Sequence, residues 1–142
     1  MFRKIIAFSL AALLSVSVVF AQPVADLTVV DKTNKVEKLL YGMEQTGSLL
    51  ERINKLEKDI YGAETQEALI TKAERIYTYA QESSSTAPSL IMRINAIEWS
   101  LTHSQTDNSI KGRLDYLEKL LSGAAAAGSI DSRVNKLGKL AF

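Results

Sequence analysis

Residues 48–62 read SLLERINKLEKDIYG, and residues 109–123 read SIKGRLDYLEKLLSG. An internal repeat constrains a fold more than any single motif does, because each copy must be one structural unit that stacks on its neighbours. Six anchors of this phrase can be found: Val36-Glu37, Leu56-Glu57, Ala73-Glu74, Ile97-Glu98, Leu117-Glu118 and Leu137-Gly138. Their spacings are 20, 17, 24, 20 and 20 residues. Five residues before the anchor's second residue stands Arg52, Arg93, Arg113 or Arg133, with Lys32 in the first copy and Leu69 in the third. Nine before it stands Ser48, Thr65, Ser89, Ser109 or Ser129, and five after it Gly42, Gly62 or Gly123.

Each copy reads as one short helix. The Ser or Thr is an N-cap, whose oxygen takes an unpaired first-turn amide, and Ser48 with Glu51 makes a full capping box. The Gly supplies the left-handed residue just past a helix end. On a wheel of about 100° per residue, Leu49, Ile53, Leu56 and Ile60 form a narrow apolar stripe. Arg52 and Glu57 lie on opposite shoulders of it, so they are not a pair within one helix. Leu90, Ile94, Ile97 and Leu101 repeat the stripe between Arg93 and Glu98. Ile110, Leu114, Leu117 and Leu121 repeat it between Arg113 and Glu118. For any one position the simplest expectation is a charge that stays in water while its stem covers the stripe.

A helix of about 14 residues is ~21 Å long, and a connection of about five residues reaches at most ~17 Å. Successive helices are therefore not expected to run parallel side by side, but to fold back as antiparallel hairpins or to zigzag onward. Antiparallel neighbours exchange shoulders, setting Arg beside Arg. Arg–Glu contacts are then expected between alternate helices or between chains, and Arg113 paired with Glu98 or Glu118 would contradict this.

The N-terminus, MFRKIIAFSLAALLSVSVVFAQPVA, has the grammar of a secretory signal peptide: Arg3 and Lys4, an apolar run from Ile5 to Phe20, and small residues before a cleavage after Ala21. Residues 1–21 are read as that peptide, with an uncleaved membrane anchor as the alternative, 22–31 as a linker and 32–142 as the helical-repeat domain. Ser83-Ser84-Ser85-Thr86-Ala87-Pro88 is read as an internal loop dividing three helices from three. Without residues 1–21, fifteen Lys and Arg face sixteen Asp and Glu. That balance gives no basic excess for nucleic acid. The chain has no cysteine, hence no disulfide, thiolate metal site or acylated N-terminal cysteine.

The sequence offers no catalytic constellation. His103 is the single histidine and stands where other copies have Gly. There is no zinc motif, Gly-rich phosphate loop or nucleophile elbow. Glu57, Glu74, Glu98 and Glu118 recur in equivalent settings, as architecture does and a catalytic pair does not. No cofactor is expected. Trp99 points well away from the stripe, where it would either cover a neighbouring helix or mark an exposed contact for a partner. The candidate interaction residues are thus Arg52, Glu57, Arg93, Glu98, Trp99, Arg113, Glu118 and Arg133.

The phrase Ser-Leu-x-x-Arg-Ile-x-x-Leu-Glu-x-x-Ile-Tyr-Gly at 48–62 resembles a tandem repeat of secreted bacterial envelope proteins, of the form Ser-Leu-x-x-Arg-Leu-x-x-Leu-Glu-x-x-hydrophobic-Phe/Tyr-Gly. The resemblance covers residues 32–142 and is weakest at 65–82. It implies an envelope location and a helical array, and transfers no catalytic residue. The resulting expectation is an all-α protein of about six short helices behind a signal peptide. It is exported to the periplasm, cell envelope or outside, and touches the membrane only during export. It acts without catalysis as an interaction or structural module, with a protein partner or a second copy. A peptidoglycan-binding module using Trp99 and nearby tyrosines is the alternative.

Overall fold

The computed structural model describes residues 26–80 and 88–142. Among them are six helices and no strand: α1 (Val29–Tyr41), α2 (Leu49–Tyr61), α3 (Leu69–Ala80), α4 (Leu90–Thr102), α5 (Ile110–Ser122) and α6 (Ile130–Ala141). The expected signal peptide and nearly all of the expected loop at 83–88 lie outside the described residues. Among the described residues no helix is long and apolar enough to cross a membrane.

The helix ends are set locally. Thr28, Ser48, Ser89, Ser109 and Ser129 each accept the amide three residues on. Thr28 with Asp31 and Ser48 with Glu51 close full capping boxes. Gly42, Gly62 and Gly123 take positive φ at the C-terminal ends (85°, 90° and 81°), and His103 does so at 54°. Removing one cap has a modest effect: Ser48→Ala is expected to lose about 1 kcal/mol, read as a drop of about 4–8 °C in thermal midpoint.

Two features of the sequence reading change. The first helix opens at Val29, inside the stretch read as linker, because Thr28 and Asp31 cap it. The period is also more regular than the anchors suggested. Helices start at 29, 49, 69, 90, 110 and 130, spacings of 20, 20, 21, 20 and 20. The third copy lies in a different register from the one its Ala73-Glu74 anchor implies. Thr65 is not its cap, since both its amide and its hydroxyl bond to Glu57. In the true register Lys72 holds the Arg position, Glu74 stands where Asn54 does, and Tyr77 replaces the anchor Glu. Ala73-Glu74 had only imitated Leu-Glu.

The helices form two triplets, α1–α3 and α4–α6, whose members all touch one another. The second triplet is the first displaced by 61 residues. Between triplets, α1 meets α4, α2 meets α5 and α3 meets α6. These meetings join helix ends to helix starts. A Cβ on Gly42 would stand 3.7 Å from Ser89 Cβ, and one on Gly62 would stand 3.4 Å from Ser109 Cβ. Tyr79 at the end of α3 accepts from Arg133 at the start of α6 (2.7 Å).

Successive helices run in the same sense, which corrects the expectation that they would not lie parallel side by side. Arg52 bonds Asn34 and Glu37, and Asp59 bonds Tyr41, so contacts climb α1 and α2 in the same order. Lys72 on Asn54, Arg75 on Glu57 and Tyr79 stacked on Tyr61 show the same for α2 and α3. The connections explain it. Seven residues separate α1 from α2, and seven span up to ~25 Å. That exceeds the ~20 Å of a 13-residue helix.

The core is one cluster running through both triplets, and it includes Ile53, Leu56 and Ile60 of α2 and Leu114 and Leu117 of α5. The apolar stripe read from the sequence is thus the buried face.

Candidate functional site

The repeated charges form a ladder inside the molecule. The carboxylates of Glu37, Glu57, Glu98 and Glu118 are all buried. Each accepts the backbone amide eight residues later: Gln45 (2.8 Å), Thr65 (2.9 Å), Thr106 (3.4 Å) and Ala126 (2.7 Å). Each also binds the cation fifteen residues later, Arg52, Lys72, Arg113 and Arg133 in turn. That cation reaches a side-chain oxygen three residues before the Glu, on Asn34, Asn54, Asn95 or Asp115. One carboxylate therefore ties its own helix, the following connection and the next helix together.

Arg52, Arg113 and Arg133 each hold both oxygens of their Glu, and for Arg113 and Arg133 both partners are buried. Arg113 Nε and Nη2 donate to the two oxygens of Glu98 at 2.9 and 2.6 Å, and Arg133 does the same to Glu118 at 2.9 and 2.7 Å. Paired parallel bonds of this kind are the strong form of carboxylate recognition. Where Lys72 replaces Arg, a second cation, Arg75, joins Glu57 and stands over the Tyr61 ring at 4.7 Å.

The third helix of each triplet has no anchor Glu, having Tyr77 and Gly138 instead. The triplet closes differently there: Lys32 bonds Glu74, and Arg93 bonds Asn135 (2.6 Å) and Asp131 (3.4 Å). The pairs are equivalent under the 61-residue displacement.

This corrects the expectation that Arg and Glu would meet across alternate helices or between chains. Arg113 meets Glu98 of the preceding helix. Neighbours running in the same sense do not exchange shoulders, so the Arg shoulder of one faces the Glu shoulder of the other. The wet-shoulder expectation fails for the same residues: Glu57, Glu98, Glu118, Arg113 and Arg133 are all at most 7 % exposed. Arg52 and Arg93 are largely covered as well. Trp99 stands apart from the ladder. It is 58 % exposed, with its ring 6.0 Å from that of His103, whose Nδ1 lies 3.0 Å from the Trp99 carbonyl.

The electrostatics fit a structural clamp. Burial pushes the Glu57 carboxyl up, but the Thr65 amide and hydroxyl and the Lys72 ammonium together hold it at about 2. Burial also opposes ionisation of Glu98, and Arg113 with Thr106 outweighs it, so that carboxyl titrates below its ordinary range. For Arg133, burial lowers the pKa, and its bonds to Glu118 and Asp115 more than reverse this. A carboxylate whose oxygens are already occupied by donors is poorly placed to accept or deliver a proton near neutral pH.

Sequence reasoning missed the amide eight residues on and the Asn or Asp that shares each cation. A signal for the second was present: Asn34, Asn54, Asn95, Asp115 and Asn135 each stand two residues after a Lys or Arg of the repeat. No protein-family model, no curated protein and no solved structure matches the chain.

Proposed function

We propose that the protein is an exported, non-enzymatic helical-repeat protein that serves as an interaction or structural module in the bacterial cell envelope. The observation that carries this reading is the use of the repeated charges. The Arg and Glu that recur in the sequence hold helices to one another, and the repeat is a way of building a rigid array. The signal-peptide grammar of residues 1–21 and the resemblance to envelope repeats support the location. Fractionation of expressing cells, with N-terminal sequencing of the product, tests it. The expected result is a chain beginning at Gln22 in the envelope or medium. A chain retaining residues 1–21 in the cytoplasm would overturn it.

The exposed Trp99 favours a second reading, a module for cell-wall glycan, since an indole face can stack on a sugar ring. The two readings separate on one variant. Trp99→Ala is expected to leave stability within about 0.5 kcal/mol, as surface changes do. On the first reading it also leaves co-sedimentation with purified peptidoglycan unchanged. A loss of co-sedimentation in that variant alone would favour the glycan reading.

A further inference from the structure

The two triplets meet through one kind of junction, and among the described residues the two ends present the open halves of that same junction. The first residue of every helix is apolar. In the second triplet these residues, Leu90, Ile110 and Ile130, are buried against the end of the first triplet. In the first triplet their equivalents Val29, Leu49 and Leu69 are only half-buried. The twelfth residue shows the opposite pattern. Leu40, Ile60 and Ala80 are fully buried at the junction, whereas Leu101, Leu121 and Ala141 at the far end are half-buried. Gly62 abuts Ser109, while its equivalent Gly123 has nothing within 4 Å.

Position two adds to the open starting face, where Val30, Leu50 and Ile70 are 45–60 % exposed. Charge is complementary as well. The starting face carries Asp31 and Glu51 in its first helical turns, and the finishing face carries Lys119 and Lys139 in its last. The His103 ring is folded back beside Trp99.

We propose that a second copy of this chain docks its starting face, lined by Val29, Leu49 and Leu69, onto the finishing face lined by Leu101, Leu121 and Ala141, repeating the internal junction between molecules. Such a contact joins two different surfaces and leaves each end free for another copy, so it grows open-ended chains of molecules instead of closed dimers. It is weaker than the internal junction. The Arg133–Tyr79 hydrogen bond has no counterpart, because the equivalent positions hold Lys72 and Leu140. The proposal deepens the module reading by naming the partner, and rests on it for the compartment in which assembly occurs.

Sedimentation velocity over a range of concentrations, on protein expressed from the full-length gene, tests it. The expected result for the unaltered chain is a mass that climbs with concentration without settling at one size. Leu49→Glu closes only the starting face and Leu121→Glu only the finishing face. Each alone is expected to shift association to at least about tenfold higher concentration, because a carboxylate must enter an apolar contact. Mixed in equal amounts, the two variants still have one intact junction between them and are expected to form dimers and nothing larger. That outcome also shows both variants to be folded. Leu50→Glu, at a position already 55 % exposed, is a second starting-face variant. A monomer at every concentration, or a closed dimer that survives both substitutions, would overturn the proposal. A monomer found in the envelope would leave the module reading standing. End-to-end growth of protein recovered only from the cytoplasm would support the junction and sink that reading.

Discussion

Arg133→Met is expected to cost about 3–5 kcal/mol of folding stability, a large share of the 5–15 kcal/mol typical of a domain. Arg133 is 3 % exposed and donates to Glu118, Asp115 and Tyr79, three partners on two other helices. Methionine fills a similar volume but donates nothing. Glu118 would keep the Ala126 amide and lose its counter-charge in a site water does not reach. The cost comes from the stranded carboxylate more than from the lost attraction, and this distinction can be measured. Glu118→Leu added to Arg133→Met removes the stranded charge, so the double variant is expected to be more stable than Arg133→Met alone by about 2 kcal/mol. Urea melts of the parent, the single variant and the double variant give both numbers. A double variant no better than the single would mean that the rung acts through attraction alone. Arg133→Lys should fall between, since an ammonium keeps the charge but not the paired geometry.

Particular residues show what the sequence could and could not convey. The buried face was legible, because Ile53, Leu56 and Ile60 share one side of a helix whatever surrounds it. So was the fact that Arg52 and Glu57 are not partners, since five residues place them on different sides. Their true partners were not legible. A wheel gives a face, but the neighbour's direction depends on the connection, and taking about five residues where seven are present reversed the inferred sense. The third copy misled for a different reason. Its Lys72, Ala73 and Tyr77 depart from the phrase, and Thr65 looks like a cap while serving as a hydroxyl donor to Glu57. The wheel placed Trp99 off the stripe, but only the packing of the helices decides that it is exposed and does not cover a neighbour. The contrast between the ends did not, because Leu49 and Ile110 are both apolar first residues. Only the stacking of one triplet on the other makes one buried and the other open.

The ladder also makes acid the natural denaturant of this fold. Glu57 is held at about 2 in the folded chain, against an ordinary glutamate value of about 4.3 in an unfolded one. A depressed folded value means that the unfolded chain takes up its proton first. The stability contributed by Glu57 is therefore complete above about pH 5 and drains away as pH falls from there toward 2, by roughly 3 kcal/mol in all. Glu98 and Asp115 are shifted in the same direction by Arg113 and by Lys111 with Arg133 respectively, so they lose stability over the same acid range. Protonating Glu57 breaks more than one contact, because the Thr65 amide, Lys72 and Arg75 all lose an anionic partner together. The expected result is an unfolding free energy that is flat from pH 7 to 5 and falls steeply below it, measured by urea melts at each pH. Glu57→Gln supplies the control. Glutamine cannot ionise, so this variant should be weaker than the parent at pH 7 and lose less on acidification, and the two curves should converge toward pH 2. Parallel curves would mean that Glu57 carries no charge-dependent share of the fold, and the repeated glutamate would then be a matter of shape.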